Sequence, residues 1–325
     1  MTLNGFEKNK KILEGRKLFL VCGNSFDRLE ISDFIKNLNP VRFGGFTPNP
    51  KHEEVLDGVE KFLGSGCDTI LAVGGGSAMD VAKCIKYYSG TDAELIVIPT
   101  TSGTGSEATH SAVEYRDGEK TSVADDSMVP DIAVLEPSVL KHVPEYTRKA
   151  TMLDAMCHAI ESWWSKKSTE ESRAYSEKAI SMILKNMDSY LANEDEGNAG
   201  MLEAANIAGK AINITATTAA HAMCYKITSL YGLQHGHSAA ICLNEVWKYI
   251  DANPGITREE FAGILKKLEM SYPESSNYEY DLDVLTDSVN EQRLNNSPYP
   301  FSKKELYSMY EMILKAKKNE GDRIE

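Results

Sequence analysis

The chain is short of three things, and each shortage closes off a class of protein. Its six cysteines, Cys22, Cys67, Cys84, Cys157, Cys224 and Cys242, stand singly, mostly inside apolar runs such as LFLVCG and AAICL. They form no paired pattern, so a disulfide framework and a thiolate metal cage are both excluded, and reduced, buried thiols are expected. Long hydrophobic runs are missing: nothing approaches the roughly 18 apolar residues of a membrane span, and the opening MTLNGFEKNKK has no apolar signal core. A cytoplasmic protein without a membrane partner is expected. Positive charge is scarce, with 35 Lys and Arg against 48 Asp and Glu and a net charge of −13. A nucleic-acid backbone or an anionic membrane would be repelled, although a locally basic pocket can still take a small anion.

What is present reads as a globular α/β chain. At 325 residues, 42% hydrophobic and 26% charged, it suits two domains of ordinary size and shows no repeats or low-complexity tract. From Lys17, KLFLVCG is an apolar run closed by a glycine and predicts a buried parallel strand; DRLEISDFIKNL then predicts a helix and VRFGGF a second strand. TPNPKHEEVLDGVEKFLGSG has proline and acidic residues at its start and glycines at its end, which are helix boundary signals, and TILAVGGG is the next strand. ELIVIP and IAVLEP add two more strands, with a hairpin turning at Asp117 and Gly118 between them. This alternation predicts a doubly wound parallel sheet over residues 1–143. From Pro144 the pattern becomes long and helical, predicting an all-α domain over residues 144–325.

Two strand ends carry loops suited to a cofactor. Gly75 and Gly76 follow the TILAVG strand, with Ser77 and Asp80 opening a helix. Glycines there let the backbone approach a diphosphate, and the helix start supplies free N–H groups. The loop is neither G-x-G-x-x-G nor a Walker loop. The second loop, PTTSGTGSE, offers the hydroxyls of Thr100, Thr101 and Thr104 at the end of the next strand, and two such loops converge on one crevice.

A third cluster lies in the helical part. Asp154 and His158 are four apart and share a helix face, while His221 and His235 are fourteen apart, close to four turns if one helix carries both, or a helix and its following loop if not. Imidazoles beside a carboxylate suit Fe²⁺ or Zn²⁺ in an N/O site.

These motifs, GGGS at 74–77, PTTSGTGSE at 99–107, DAMCHAIE at 154–161 and HAM with QHGHSAA within 221–240, resemble in order and spacing the iron-containing (group III) alcohol dehydrogenases. The resemblance covers roughly residues 17–250. It implies the dehydroquinate synthase-like architecture, an α/β nucleotide-binding domain followed by a helical domain with a divalent metal between them, and a homodimer. By the same resemblance the metal ligands are Asp154, His158, His221 and His235; the pyrophosphate loop is Gly75, Gly76, Ser77 and Asp80; Thr100, Thr101 and Thr104 form a second cofactor loop; and Lys120 lies near the cofactor's ribose. The implied reaction is hydride transfer between a nicotinamide and a small aldehyde or primary alcohol, with the metal polarising the substrate oxygen.

Three departures limit what carries over from the family. The strand hairpin that precedes the first nucleotide-binding strand in the family is missing, and the C-terminal helical region is short. The histidine that relatives often place four residues after the third ligand is replaced by Tyr225, whose hydroxyl can donate or accept a proton. Where NAD-preferring relatives carry an Asp after the first strand, this chain has Gly23, Asn24 and Ser25, so nothing repels a 2′-phosphate and NADP(H) is expected over NAD(H). The stretch YKITSLYGLQHGHSAAI resembles the branch linked to phosphonate metabolism, whose substrate is phosphonoacetaldehyde, reduced to 2-hydroxyethylphosphonate. Its charged head needs local cations, for which Lys226, His237 and His110 are the candidates; His237 can equally support a ligand from outside. Two competing readings stay open, a dehydroquinate synthase-like lyase on the same fold and a non-catalytic nucleotide-binding relative.

Overall fold

Each strand expected from the sequence forms, in a computed structural model that describes residues 1–316. The strands are β1 (Thr2–Asn4), β2 (Leu18–Cys22), β3 (Val41–Phe43), β4 (Thr69–Gly74), β5 (Glu94–Pro99), the hairpin β6 (Ser111–Arg116) and β7 (Glu119–Ala124), β8 (Ile132–Leu135), and the two-residue β9 (Glu274–Ser275) and β10 (Lys315–Ala316). Six of them make one sheet in the order β1-β8-β5-β4-β2-β3, and every pairing in it is parallel. Besides β9 and β10, which pair in parallel within the half expected to be all helical, one strand of the sheet escaped the sequence reading. β1 is only TLN, half exposed and without an apolar run, yet it pairs with β8 from Thr2↔Ala133 to Asn4↔Leu135. Leu18–Cys22 is therefore the second strand of the chain and not the first.

Both sheet faces are buried, which is why the strands read as unbroken apolar runs. Phe19, Val21, Ile70, Ala72, Leu95 and Val97 point into a core formed with α3 (His52–Ser65) and α4 (Gly76–Ser89). Leu20, Cys22, Leu71, Val73, Ile96 and Ile98 point the other way, into a core continuous with the helical half, following the two-residue period of a strand. The helices α1 (Phe6–Asn9) and α2 (Ser32–Asn37) are short. The predicted DRLEISDFIKNL helix breaks because Leu29 is extended at ψ 142°, leaving a 3₁₀ turn over Asn24–Arg28 ahead of α2.

Past Pro144 come α5 (Glu145–Trp164), α6 (Glu170–Leu191), α7 (Asp195–Thr215), α8 (Ala219–Tyr231) and α9 (His235–Val246), then α10 (Arg258–Lys267), α11 (Tyr278–Asp287), α12 (Glu291–Leu294) and α13 (Lys303–Ile313). His221 and His235 thus stand on two helices. Gly232 ends α8 in the left-handed region at φ 66°, and the chain turns back before α9 begins.

Candidate active site

α5, α8 and α9 each bring ligand atoms to one point. Asp154 and His158 sit one turn apart on α5, His221 lies in the first turn of α8, and His235 opens α9. Asp154 Oδ1 lies 3.4 Å from Nε2 of His221, 3.6 Å from that of His235 and 3.8 Å from that of His158. Ligand atoms of Asp154, His158 and His221 fall within 4.8 Å of one another, and His235 closes the set from the side. Two of these atoms, Asp154 Oδ1 and His221 Nε2, are buried without a hydrogen-bond partner. Leaving such groups unsatisfied costs about 1–3 kcal/mol each, and a divalent cation between a carboxylate and three imidazoles removes that cost. The residues present therefore fit the ion that the sequence implies.

The outer bonds fix which nitrogen faces the centre. His158 Nδ1 donates to the Gly103 carbonyl at 3.2 Å, and His221 Nδ1 pairs with Glu161. Glu161 also accepts from the Thr218 hydroxyl at 2.6 Å and from the N–H groups of Thr218 and Ala220, both at 3.0 Å. It was not singled out in the sequence, although its position seven residues after Asp154 puts it two turns along the same face of α5. Burial, aided by the charge on His221 and opposed by Asp154, pushes His158 down to about 4 and His235 to about 3. For His221 burial acts in the same sense but the buried Glu161 outweighs it and lifts the imidazole to about 9. Burial opposes ionisation of Asp154, yet the three imidazoles prevail and hold its carboxyl well below the ordinary range. The His235 side chain is 35% exposed against 2–6% for Asp154, His158 and His221, so the cluster opens on its side.

The cofactor loops lie at the C-terminal ends of neighbouring strands. β2 and β4 are paired and the chain reverses its direction of sheet growth between them, which is where open α/β sheets bind their ligands. Gly75 precedes α4 without a side-chain cap. A Cβ on Gly75 would come within 3.3 Å of Thr101 Oγ1, and one on Gly76 within 3.0 Å of Thr104 Cγ2, so the two loops touch and a side chain at either position would crowd the cradle. Thr100 N–H donates to the Gly74 carbonyl. Ser77 Oγ bonds the Pro48 carbonyl, and Asp80 is turned onto the second loop, accepting from Ser106 Oγ at 2.7 Å and the Val113 N–H at 3.1 Å. Asp80 thus braces the cradle. Asn24 and Ser25 are exposed. Beside them lies a residue the sequence reading missed: Arg42 of β3 donates from Nη2 to the Gly23 carbonyl at 3.2 Å and from Nη1 to Asp27 at 2.9 Å.

The remaining candidates divide. Tyr225 joins the centre, stacking on His235 with ring centroids 5.6 Å apart and planes 7° apart. Lys120, on the hairpin, stands with Nζ 3.6 Å from the Tyr225 centroid. By area Lys120 is exposed, yet protein surrounds it within the cleft. His237 faces away: Nε2 meets the Ser271 carbonyl at 2.9 Å and Nδ1 the Tyr146 hydroxyl at 2.9 Å. With Nε2–H donating and Nδ1 accepting, His237 is neutral, and burial holds its pKa down. Both of its ring nitrogens are thus taken within the protein. His110 uses its backbone N–H on Asn213, and Lys226 is half-buried on α8.

A profile for "Iron-containing alcohol dehydrogenase" matches residues 3–137 and one for the C-terminal part of the Fe-containing alcohol dehydrogenase family matches residues 149–312. A 1-propanol dehydrogenase from Salmonella typhimurium is 28% identical over 261 residues, covering 76% of this chain and 70% of the relative. A 1,3-propanediol dehydrogenase from Citrobacter freundii is 30% identical over 283 residues, covering 78% and 72%. The crystal structure of an iron-containing alcohol dehydrogenase from Thermotoga maritima superposes with a TM-score of 0.85 at 26% identity over 96% of each chain. The chain belongs to the iron-containing alcohol dehydrogenase family and is an oxidoreductase of alcohols and aldehydes.

Proposed function

We propose that the protein is a metal-dependent, NADP(H)-preferring reductase of small aldehydes, working reversibly on primary alcohols. The observation that carries this reading is the convergence of Asp154, His158, His221 and His235 on one point with two unsatisfied buried atoms. Those four residues would hold Fe²⁺ or Zn²⁺. When bound, the ion supplies Lewis acidity at the substrate oxygen and the nicotinamide supplies the hydride. The protein's own groups do the rest. Glu161 and the Gly103 carbonyl fix the rings of His221 and His158 with Nε2 inward. Burial pushes the Tyr225 phenol well above its ordinary range, so at working pH its Oη carries a proton to donate and is no base.

The NADP(H) preference is supported by the missing carboxylate after β2 and by Arg42 beside Gly23. Phosphonoacetaldehyde is the finer substrate reading, carried by the likeness of the 225–241 stretch to the phosphonate branch. The homodimer and the cytoplasmic location belong to the same reading. A dimer can use the outer side of β1, which has no strand partner among the described residues, and light scattering on the purified protein tests it. The activity test is anaerobic reconstitution with Fe²⁺ or Zn²⁺, then NADPH and NADH oxidation against an aldehyde panel. Turnover that disappears in His221→Ala supports the reading. Stoichiometric metal and bound nucleotide without turnover would sink it in favour of a synthase or a binding protein.

A further inference from the structure

Two cations meet over one ring at the mouth of the metal cleft. Lys120 Nζ lies 3.6 Å from the Tyr225 centroid and the Arg293 guanidinium carbon 5.6 Å from it. One comes from β7 and the other from α12, so the fold brings them together from distant parts of the chain. A cation over an aromatic face at an exposed site gains little, which does not offset crowding two like charges round one tyrosine. Their mutual effect is visible in Lys120, which burial and then the Arg293 charge push down to about 8, against the opposing pull of Cys224.

Neither cation is ion-paired to a carboxylate among the described residues, in a chain with 48 acidic side chains to choose from. Arg293 spends one N–H on the Thr217 hydroxyl, although a guanidinium carries five donors. Lys120 forms no side-chain hydrogen bond among the described residues. Under-bonded donors of this kind suit an oxyanion, the fork of arginine taking two oxygens and the ammonium a third.

The geometry points to Arg293 and Lys120 as a clamp for the far end of the substrate, selecting short aldehydes that bear a terminal carboxylate, sulfonate or phosphonate. The inference rests on the reductase reading above, and it replaces His237, whose nitrogens are taken, with residues that face the cleft. The cofactor's diphosphate is the other anion at hand. Its cradle, however, is made by the loops after β4 and β5, whereas Arg293 stands on the helical half against Tyr225, the ring stacked on a ligand.

The test compares kcat/KM of the metal-loaded enzyme for phosphonoacetaldehyde, sulfoacetaldehyde, succinate semialdehyde and butanal. The wild type should prefer at least one anionic aldehyde to butanal by tenfold or more. Arg293→Gln and Lys120→Met should each cut that ratio by about ten- to a hundredfold, the range expected for hydrogen bonds to a charged group, and Arg293→Lys by less than Arg293→Gln. Calorimetric titration of the metal-free protein with the matching anionic alcohols gives a second readout, expected to weaken in parallel. An unchanged anionic-to-neutral ratio in Arg293→Gln overturns the assignment, as does a raised KM for NADPH without a change in that ratio. Should Arg293→Gln fail to fold by circular dichroism, unchanged ratios in both Arg293→Lys and Lys120→Met overturn it equally. If the loaded wild type reduces no aldehyde, the reductase reading fails, while weakened calorimetric binding in the variants still upholds the anion site.

Discussion

His221 Nδ1 is bonded to Glu161 Oε2, while the other oxygen of Glu161 gathers the Thr218 and Ala220 N–H groups and the Thr218 hydroxyl. One buried carboxylate on α5 therefore orients the His221 ring and ties down the start of the helix that carries it. Glu161→Gln keeps the shape but loses the charge that makes His221 a strong donor to a cation. Its expected effect is about a ten- to a hundredfold weaker metal affinity, measured by competition with a chromogenic chelator. An unaltered affinity would mean that Glu161 serves only the helix start.

Gly236 sets how closely α9 approaches α5. A Cβ there would stand 2.0 Å from the Ala150 carbonyl oxygen and 2.7 Å from Asp154 Cβ. Backbone cannot yield as a flexible side chain does, so Gly236→Ala must push α9 outward. The expected cost is about 1–3 kcal/mol of stability, seen in thermal unfolding. Metal affinity should fall with it, because the displaced helix carries His235 and the contact is Asp154 itself. Loss of stability with full metal affinity would show that the helix shifts without moving its ligand.

The strands and the shared face of Asp154 and His158 on α5 were legible because both rest on short periods. A doubly buried strand is an apolar run, and residues four apart on a helix share a face whatever surrounds them. β1 was not legible, since three residues with one half-buried position carry no pattern and the strand exists only because β8 offers an edge. Asp80 and His237 stand in motif positions, yet their partners, Ser106 and Val113 for one and Tyr146 and Ser271 for the other, are distant in sequence. Arg42 and Arg293 were passed over for the same reason. No local pattern tells which surface arginine a fold will bring to a cleft, and only the tertiary placement of β3 and α12 does so.

Arg42 is expected to govern the choice between the two nicotinamide cofactors. It reaches Gly23 from the neighbouring strand, and Asp27 beside it is neutralised from two sides, by Arg42 and by Lys36 at 2.9 Å. The local balance is positive, which favours a 2′-phosphate. Arg42→Ala should raise KM for NADPH by about tenfold, the worth of one charge-assisted bond, and alter KM for NADH much less. Equal changes for both cofactors would assign Arg42 to holding the β2 turn and not to the phosphate.

The Lys120 ammonium should leave a mark on the pH profile. Burial and the Arg293 charge push it down to about 8, and the groups that face it are Cys224, Arg293, Asp80 and Asp154. Burial holds the Cys224 thiol and the Tyr225 phenol far above this range, Asp154 stays ionised below it, and His235, at about 3, is neutral. Between pH 7 and 9 Lys120 passes from cationic to neutral, while Asp80 is turned onto Ser106 and Val113 and His221, lifted to about 9 in the free protein, would be held unprotonated by the ion of the loaded enzyme. Since kcat/KM reports the free enzyme, the preference for an anionic aldehyde over a neutral one should be greatest below pH 7 and fall by about tenfold as pH rises through 8, then level off where Arg293 alone remains. A sulfonated aldehyde is the right probe because its own charge does not titrate in this window. Lys120→Met should flatten the profile at the lower plateau. A wild-type ratio that stays constant from pH 6.5 to 9.5 would remove Lys120 from the substrate's surroundings.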